Sequence, residues 1–219
     1  MRKQAIVIGL GQFGMALAES LSLKGMEVIA VDNNEDHVNL AKEFATRAMH
    51  FDATDSDALT RISPERRDVC VCAIGDDFKE GSIICTALLR QLGARRVVAR
   101  ANDALHERIL KLVGAHEVVN PEKDFGERFA NRLIHEQVVG ELPLGKDLYL
   151  TEMKVPPAFV GRSLMDLAMP RRFGVTLVAI KRDREDKILL PRPETVLDER
   201  DLMLVVASRE NIKSLLERF

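Results

Sequence analysis

The stretch AIVIGLGQFG at residues 5–14 decides the fold class, because it joins an apolar strand directly to the pattern G-x-G-x-x-G. Gly9 allows a tight turn after the strand, Gly11 lets the backbone approach a phosphate, and Gly14 allows close packing of helix on strand. The N-terminus of that helix offers unpaired N–H groups and a positive dipole end to an anion. The predicted members of this phosphate-binding loop are Gly9, Gly11, Gln12, Phe13 and Gly14.

Outward from this loop, short Val- and Ile-rich runs alternate with amphipathic stretches over the first 120 residues or so. This alternation predicts βαβ units and a parallel sheet with helices on both faces. The predicted strands are Ala5–Ile8, Val28–Val31, Ala48–Phe51, Val69–Ala73, Val97–Arg100 and Glu117–Val119. The predicted helices are Phe13–Lys24, Glu35–Phe44, Asp55–Ile62, Phe78–Leu92 and Asp103–Val113. Six such strands make a complete doubly wound, Rossmann-like α/β domain.

Further strand ends meet the same crevice, since a doubly wound sheet binds ligands at the carboxyl ends of its strands. Asp32 ends the second strand, where a carboxylate accepts hydrogen bonds from ribose hydroxyls; the alternative is that it only caps a helix. Asp52 follows the third strand and either meets an adenine amine or caps the helix after Asp55. The backbone after the fourth strand can lie along the sugar and phosphates at Ile74, Gly75 and Asp76.

A longer helical pattern opens at Pro121 and runs from Glu122 to about Val139. Its apolar face includes Phe125, Phe129 and Leu133, at a spacing that is typical of a buried stripe. Two interpretations stay open: the face packs back on the sheet of its own domain, or it forms a subunit interface. The glycine and proline residues of GELPLGKD, residues 140–147, then predict a break.

The remainder of the chain is predicted to form a small α+β domain. Its predicted strands are Leu148–Val155, Val175–Lys181, Ile188–Leu190 and Leu202–Ala207, and its predicted helices are Ser163–Ala168 and Glu210–Arg218. The predicted divisions are 1–121 for the nucleotide-binding domain, 122–146 for a crossover helix and linker, and 147–219 for the C-terminal domain. Histidine and cysteine are absent from this last domain, so the usual groups for acid–base and nucleophilic catalysis are largely missing there.

The composition of the chain limits which kinds of partner and which cellular compartment are expected for it. The net charge of −2, with no basic face, disfavours nucleic acid. The longest apolar runs are far shorter than the ~20 residues of a membrane span, and the N-terminus runs into a strand without room for a signal peptide. Cys70, Cys72 and Cys85 lack the spacing of a zinc or redox motif and are expected to be buried apolar side chains. A cytoplasmic protein in a reducing compartment is predicted.

The order of motifs resembles the RCK domain (regulator of potassium conductance), found in cytosolic gating subunits of the KtrA/TrkA type. The resemblance rests on GLGQFG (9–14), VDNN (31–34), FDAT (51–54), VCAIGD (71–76), VVARAND (97–103) and the run from Gly114 to Glu122. GRSLMDLAMPRRFGVTLVAIKR (161–182) and the segment PRPETVLDERDLMLVVA after it resemble the C-terminal lobe of that family. The resemblance therefore covers nearly the whole chain.

The resemblance implies roles for particular residues. The ribose-binding segment of the family corresponds to Asp32, Asn33 and Asn34, the adenine-contacting pair to Asp52 and Ala53, and the phosphate-facing segment to Arg100, Ala101 and Asn102. His106 falls where it can approach the nucleotide, or it is simply solvated on its helix. Glu122 matches a carboxylate of a divalent or monovalent cation site between paired subunits, or it complements the positive N-terminus of its helix.

The resemblance also implies ligands and partners. ATP, ADP or NAD(H) is expected in the Rossmann-like domain, and cyclic di-AMP in the C-terminal domain. The family tends to carry an arginine where this chain has Gln12, and a neutral amide cannot offer phosphate a bidentate charged contact, which favours NAD(H). Homodimers that assemble into an octameric ring are expected to attach to the inner face of the membrane through a potassium-translocating subunit.

The predicted function is regulation, in which nucleotide binding shifts the conformation of the ring. The alternative is an NAD-dependent oxidoreductase or an NAD(H)-sensing regulator. An enzyme is disfavoured because none of the five histidines lies beside a nucleophile motif. A purely structural module would leave the phosphate-binding loop unexplained.

Overall fold

The computed structural model describes residues 2–75, 78–182 and 187–217. The chain divides into unit 1, Met1–Lys123, and unit 2, Asp124–Phe219. The elements of unit 1 are β1 (Gln4–Ile8), α1 (Gln12–Leu23), β2 (Glu27–Asp32), α2 (Glu35–Ala41), β3 (Arg47–His50), α3 (Ser56–Thr60), β4 (Val69–Cys72), α4 (Lys79–Gln91), β5 (Val97–Arg100), α5 (Ala104–Leu112) and β6 (Glu117–Val119). All strand pairs are parallel, in the order β3-β2-β1-β4-β5-β6, which confirms the predicted doubly wound sheet.

The sheet of unit 1 is covered on both faces, as its nearly continuous apolar strands require. Successive residues of β1 alternate between two cores: Ile6 and Ile8 pack in one, and Val7 packs in the other. β1 pairs with β2 on one side and with β4 on the other. The chain thus turns in opposite directions from β1, and this switch point opens a crevice at the carboxyl ends of the strands.

Unit 2 is built on an antiparallel sheet with the strand order β10-β9-β11-β8-β7. The remaining elements of the chain are α6 (Pro121–Ile134), β7 (Val138–Pro143), β8 (Tyr149–Lys154), α7 (Leu164–Leu167), α8 (Met169–Phe173), β9 (Thr176–Arg182), β10 (Lys187–Leu189), β11 (Asp201–Ala207) and α9 (Arg209–Glu217). A separate core contains the fully buried side chains of Met153, Phe159 and Ile180. This confirms the predicted small α+β architecture. Within the described ranges, no helix combines the length and apolarity needed to cross a membrane.

One local prediction for the C-terminal half is wrong, and one helix there was not predicted. Helix α6 ends at Ile134 rather than near Val139, and Val138–Pro143 is strand β7, antiparallel to β8. The strand tolerates Pro143 because that residue is the last of a strand at the end of the sheet order, where a missing N–H costs little. The helix predicted at Ser163–Ala168 is present as α7, and a second helix, α8, follows it that was not predicted; Ala168 separates the two in a left-handed conformation with φ of 45°.

Helix α6 leaves its apolar face open. The exposed fractions are 60% for Phe125, 37% for Phe129 and 66% for Leu133, and no residue of α6 is buried. The rings of Phe125 and Phe129 stack with centroids 5.6 Å apart. A helix face this exposed favours the interpretation as a subunit interface, which stays a prediction.

The three thiols offer a test of the core of unit 1. Cys70, Cys72 and Cys85 are free and buried, as predicted, and burial raises the pKa of Cys70 to about 12 because an apolar surrounding disfavours the thiolate. We expect none of them to react with Ellman's reagent at neutral pH in the native protein, and all three to react after denaturation. Absorbance of the released thiolate measures both. Rapid reaction of the native protein would contradict this packing.

Candidate functional site

A cavity of about 280 Å³ lies at the switch point of unit 1. It is lined by Ile8, Gly9, Gly11, Asp32, Asn33, Asn34, His37, Phe51, Asp52, Ala53, Ala73, Ile74, Gly75, Phe78 and Arg100. These residues lie at or just beyond the carboxyl ends of β1 to β5, except for His37 in α2 and Phe78 before α4. The structure thus brings together most of the predicted strand-end residues around one opening.

The three glycines of the loop each meet a different steric demand. Gly9 has φ of +88°, and a Cβ there would lie 2.8 Å from the backbone nitrogen of Ile74. A Cβ on Gly14 would overlap the carbonyl oxygen of Gly9, so helix α1 can approach the loop only with glycine there. A Cβ on Gly11 would meet nothing within 4 Å, and this residue begins α1 as its N-cap. The open side of Gly11 leaves room for a phosphate at the helix N-terminus.

The side chain of Asp32 is held in place by two backbone N–H groups. Its Oδ2 accepts a hydrogen bond from the N–H of Leu10 at 2.5 Å, and its Oδ1 accepts one from the N–H of Asn34 at 2.7 Å. Asp32 as a whole is 8% exposed and lines the cavity. The side chain that caps α2 is that of Asn34, which accepts from the N–H of Asp36, so the helix-capping interpretation of Asp32 is wrong.

Asp52 also faces the cavity without capping a helix. Its Oδ1 accepts hydrogen bonds from the N–H and the hydroxyl of Thr54, at 2.9 and 2.8 Å. The N-cap of α3 is Asp55, whose side chain accepts from two backbone N–H groups. The helix-capping alternative for Asp52 is therefore wrong, and Oδ2 carries no hydrogen bond within the described residues. That oxygen is an acceptor of the kind that an adenine amine requires.

Arg100 is the cationic group of the cavity wall. Its side chain is 13% exposed, and its Nη2 donates to Oε1 of Glu122 at 2.6 Å. Glu122 lies in the first turn of α6 and is 60% exposed. The buried Nε of Arg100 has no hydrogen-bond partner among the described residues. A guanidinium at the cavity wall with an N–H group that is not yet bonded can donate to a phosphate that enters the cavity.

Several predicted residues do not line the cavity: Gln12, Phe13, Gly14, Ala101, Asn102, His106 and Glu122. His106 is 3% exposed, and its Nε2 shares a hydrogen bond of 2.7 Å with the hydroxyl of Ser82 in α4. It therefore faces the neighbouring helix, so the solvated alternative is wrong, and the nucleotide contact stays a prediction. Gln12 is exposed at the start of α1. Asp76 lies outside the described residues.

Residues that the sequence analysis missed complete the wall. Phe51, Phe78 and His37 all line the cavity, and Nδ1 of His37 lies 3.5 Å from Oδ2 of Asp32. Phe51 precedes Asp52 and could have been found from that neighbour. His37 follows Asp32 by five residues and lies in α2, the helix directly after β2. Once the end of β2 is known, this short spacing indicates that His37 can lie near the cavity. Within the described part of the chain, no cluster of three or more His, Cys, Asp or Glu residues could hold a metal ion.

Known proteins resemble both units. Residues 5–121 match the TrkA-N domain family, and residues 150–219 match the TrkA-C domain family. The Ktr system potassium uptake protein C of Bacillus subtilis (strain 168) is 34% identical, over 97% of this chain and 95% of its own length. The Ktr system potassium uptake protein A of Vibrio alginolyticus is also 34% identical, over 98% of this chain and 97% of its own length. The crystal structure of the GsuK RCK domain shares the fold, with a TM-score of 0.65 and 18% identity over 99% of this chain and 47% of that chain.

Proposed function

Since the chain belongs to the family of potassium-uptake proteins with TrkA-N and TrkA-C domains, we propose that it is a nucleotide-binding regulatory subunit of a potassium-uptake system. The observation that supports nucleotide binding is the cavity at the switch point, where the glycine loop and the carboxylate of Asp32 face one opening. This is where a doubly wound sheet binds a nucleotide.

The ligand of this cavity is an adenine nucleotide, ATP, ADP or NAD(H). Asp32 accepts from the ribose, Asp52 from the adenine amine, and the N-terminus of α1 with Arg100 meets the phosphates. Gln12 does not line the cavity and carries no charge, so it gives this site no means of sensing an additional phosphate. The number of phosphates is then sensed mainly by Arg100, whose Nη2 donates to Glu122 in this structure.

Regulation fits the lining of the cavity better than catalysis does. Among the described residues, the lining contains no serine, threonine, cysteine, lysine or tyrosine, and its one histidine lies beside Asp32. Apart from this histidine, the lining therefore lacks the acid–base groups that hydride transfer to a carbonyl substrate would need. An NAD-dependent oxidoreductase is the alternative, and sustained oxidation of NADH with carbonyl substrates would overturn the regulatory proposal.

The regulatory mechanism follows from unequal affinities. A ligand shifts an equilibrium between two arrangements only when it binds one of them more tightly. The open face of α6 links subunits, and Glu122 in its first turn contributes to a cation site between paired nucleotides. The homodimers assemble into an octameric ring at the inner face of the membrane, attached to the potassium-translocating subunit. Unit 2 takes cyclic di-AMP.

A thermal-shift panel of ATP, ADP, NAD, NADH and cyclic di-AMP tests the proposal. A ligand that binds only the folded protein stabilises it by about 2.7 kcal/mol at a concentration one hundred times its Kd. We expect at least one adenine nucleotide to raise the melting temperature in a saturable way. The proposal fails if none of the adenine nucleotides does so.

The assembly has a separate test in Leu133→Glu, which places a charge on the open face of α6. We expect the wild-type protein to have an assembly mass above that of one chain, and the variant to dissociate at a concentration at least about thirtyfold higher, as loss of a central apolar contact implies. Light scattering across a dilution series measures both. Leu23→Glu is the matched control, because Leu23 is 81% exposed on α1. A monomeric wild-type protein, with and without nucleotide, would rule out the ring.

A further inference from the structure

His37 stands at the ribose end of the cavity, on the first turn of α2 after Asp32. Its Nδ1 is screened from solvent and lies 3.5 Å from Oδ2 of Asp32. The side chain as a whole is 39% exposed, so its open edge carries Nε2 rather than Nδ1. The ring thus has one nitrogen against the carboxylate and the other accessible, in a residue that lines the cavity.

The hydrogen bonds of Asp32 leave it short of acceptor positions for a ribose. A carboxylate oxygen has about two lone-pair directions, and each oxygen already accepts one backbone N–H, from Leu10 at Oδ2 and from Asn34 at Oδ1. Nδ1 of His37 lies 3.5 Å from Oδ2 without a hydrogen bond to it, and so crowds the approach of a further donor to that oxygen. Oδ1 is therefore the oxygen that is open to a further donor, whereas a ribose presents two hydroxyls.

The position of the carboxylate also selects the form of the imidazole ring. In a neutral ring one nitrogen bears the proton and the other a lone pair, and a neighbouring acceptor draws the proton to the nitrogen that faces it. With the proton on Nδ1, directed at Asp32, the lone pair lies on Nε2. The open edge of His37 is then a hydrogen-bond acceptor at the cavity wall.

We propose that Asp32 and His37 divide the two ribose hydroxyls between them, so that Oδ1 of Asp32 accepts from one hydroxyl and Nε2 of His37 accepts from the other. This inference rests on the proposed function, since it concerns the same adenine-nucleotide cavity. It makes His37 a specificity-determining residue that favours ribonucleotides over their deoxy analogues. The contact is lost when either the hydroxyl or the ring nitrogen is removed, which gives a double-mutant cycle between ligand and protein.

Isothermal titration of ADP, 2′-deoxy-ADP and 3′-deoxy-ADP tests this division in the full-length protein. His37→Phe keeps a planar ring but removes both nitrogens, and it should weaken ADP binding by about threefold to tenfold, the range of one hydrogen bond. It should leave the affinity for one of the two deoxy analogues unchanged. His37→Gln, whose amide oxygen can accept near the position of Nε2, should restore part of the preference. Asn39→Ala, an exposed position on the same helix, is the control and should change none of the three affinities.

Each outcome decides for or against the role of His37. A selective loss for ADP and one analogue supports the inference, and recovery with His37→Gln strengthens it. An equal loss for all three ligands in His37→Phe would mean that the ring only positions α2 or Asp32, and no loss would mean that it makes no contact; either overturns the inference and leaves the proposed function standing. Failure of the wild-type protein to bind ADP, together with failure of ATP and NAD, would overturn both.

Discussion

Replacing Gly14 with alanine is expected to abolish nucleotide binding and to lower the free energy of unfolding by about 3 kcal/mol or more. A Cβ at this position would overlap the carbonyl oxygen of Gly9 and press on the side chain of Ala73. Both neighbours lie in or beside strands of the central sheet, so neither can move aside cheaply. Chemical denaturation measures the stability change, and a titration with ADP or NAD measures the binding.

Gly11→Ala is the matched control, since the same methyl group is added three residues earlier in the same loop. Nothing lies within 4 Å of a Cβ there, so the loss of stability should be only about 1 kcal/mol or less, the cost of alanine at an N-cap. Binding should still weaken strongly, because the methyl group enters the space that the phosphate needs. A Gly14→Ala protein as stable as the wild type would show that helix α1 does not pack against the loop as described.

The second large effect is expected for Asp32→Asn, which should weaken binding of adenine nucleotides by about a hundredfold. Hydrogen bonds to a charged group are worth about 1.5–3 kcal/mol each, and the loss of one or two of them corresponds to this change. The substitution also harms the empty protein. Whichever way the amide turns, its NH₂ group faces the N–H of either Leu10 or Asn34, both of which now donate to the carboxylate. We expect a loss of about 1–3 kcal/mol in the free energy of unfolding.

Asp36→Asn is the control for this variant, because it removes the same charge from an exposed position on α2 that does not line the cavity. It should leave both the nucleotide affinity and the melting temperature close to those of the wild type. Equal weakening by the two substitutions would mean that the general negative charge of α2 matters, rather than contacts of Asp32 with the ribose. Calorimetry with ADP at two salt concentrations separates these cases, since screening affects only the former.

The sheet of unit 1 could be predicted from sequence because its signals are local and redundant. Each strand is a short apolar run, each helix follows at a regular interval, and the glycine loop defines where the first strand must end. The strand ends therefore indicated most of the cavity, including Asp32, Asp52 and Gly75. Parallel strands buried on both faces leave few alternatives to this topology.

The region after Pro121 was harder because its signals compete. Val138 and Val139 continue the apolar periodicity of α6, yet they belong to β7, which gains its hydrogen bonds from β8. Pairing between strands is a tertiary property, and propensity alone does not show it. The same holds for Ala168, whose left-handed conformation divides α7 from α8 although alanine seldom adopts it.

The directions of the side chains could not be predicted from the sequence, and this limited how many site residues could be identified. His106 lies close in sequence to the phosphate-facing segment, but the rotation of α5 directs its ring to Ser82 in α4. His37 is directed the other way, into the cavity, by the rotation of α2. A helix presents different residues to different neighbours every turn, and only the packing of the helix on its sheet decides which of them meets the ligand.

The backbone hydrogen bonds of Asp32 have a consequence for the kinetics of nucleotide binding. The carboxylate is already held in place by Leu10 and Asn34, so a nucleotide need not order this wall as it enters. A preformed site avoids much of the entropy cost of binding, and closely related ligands then associate at similar rates. Differences between nucleotides will therefore reside in their dissociation rates. The residence time of the bound nucleotide, rather than the speed of its arrival, would determine how long a regulatory state persists.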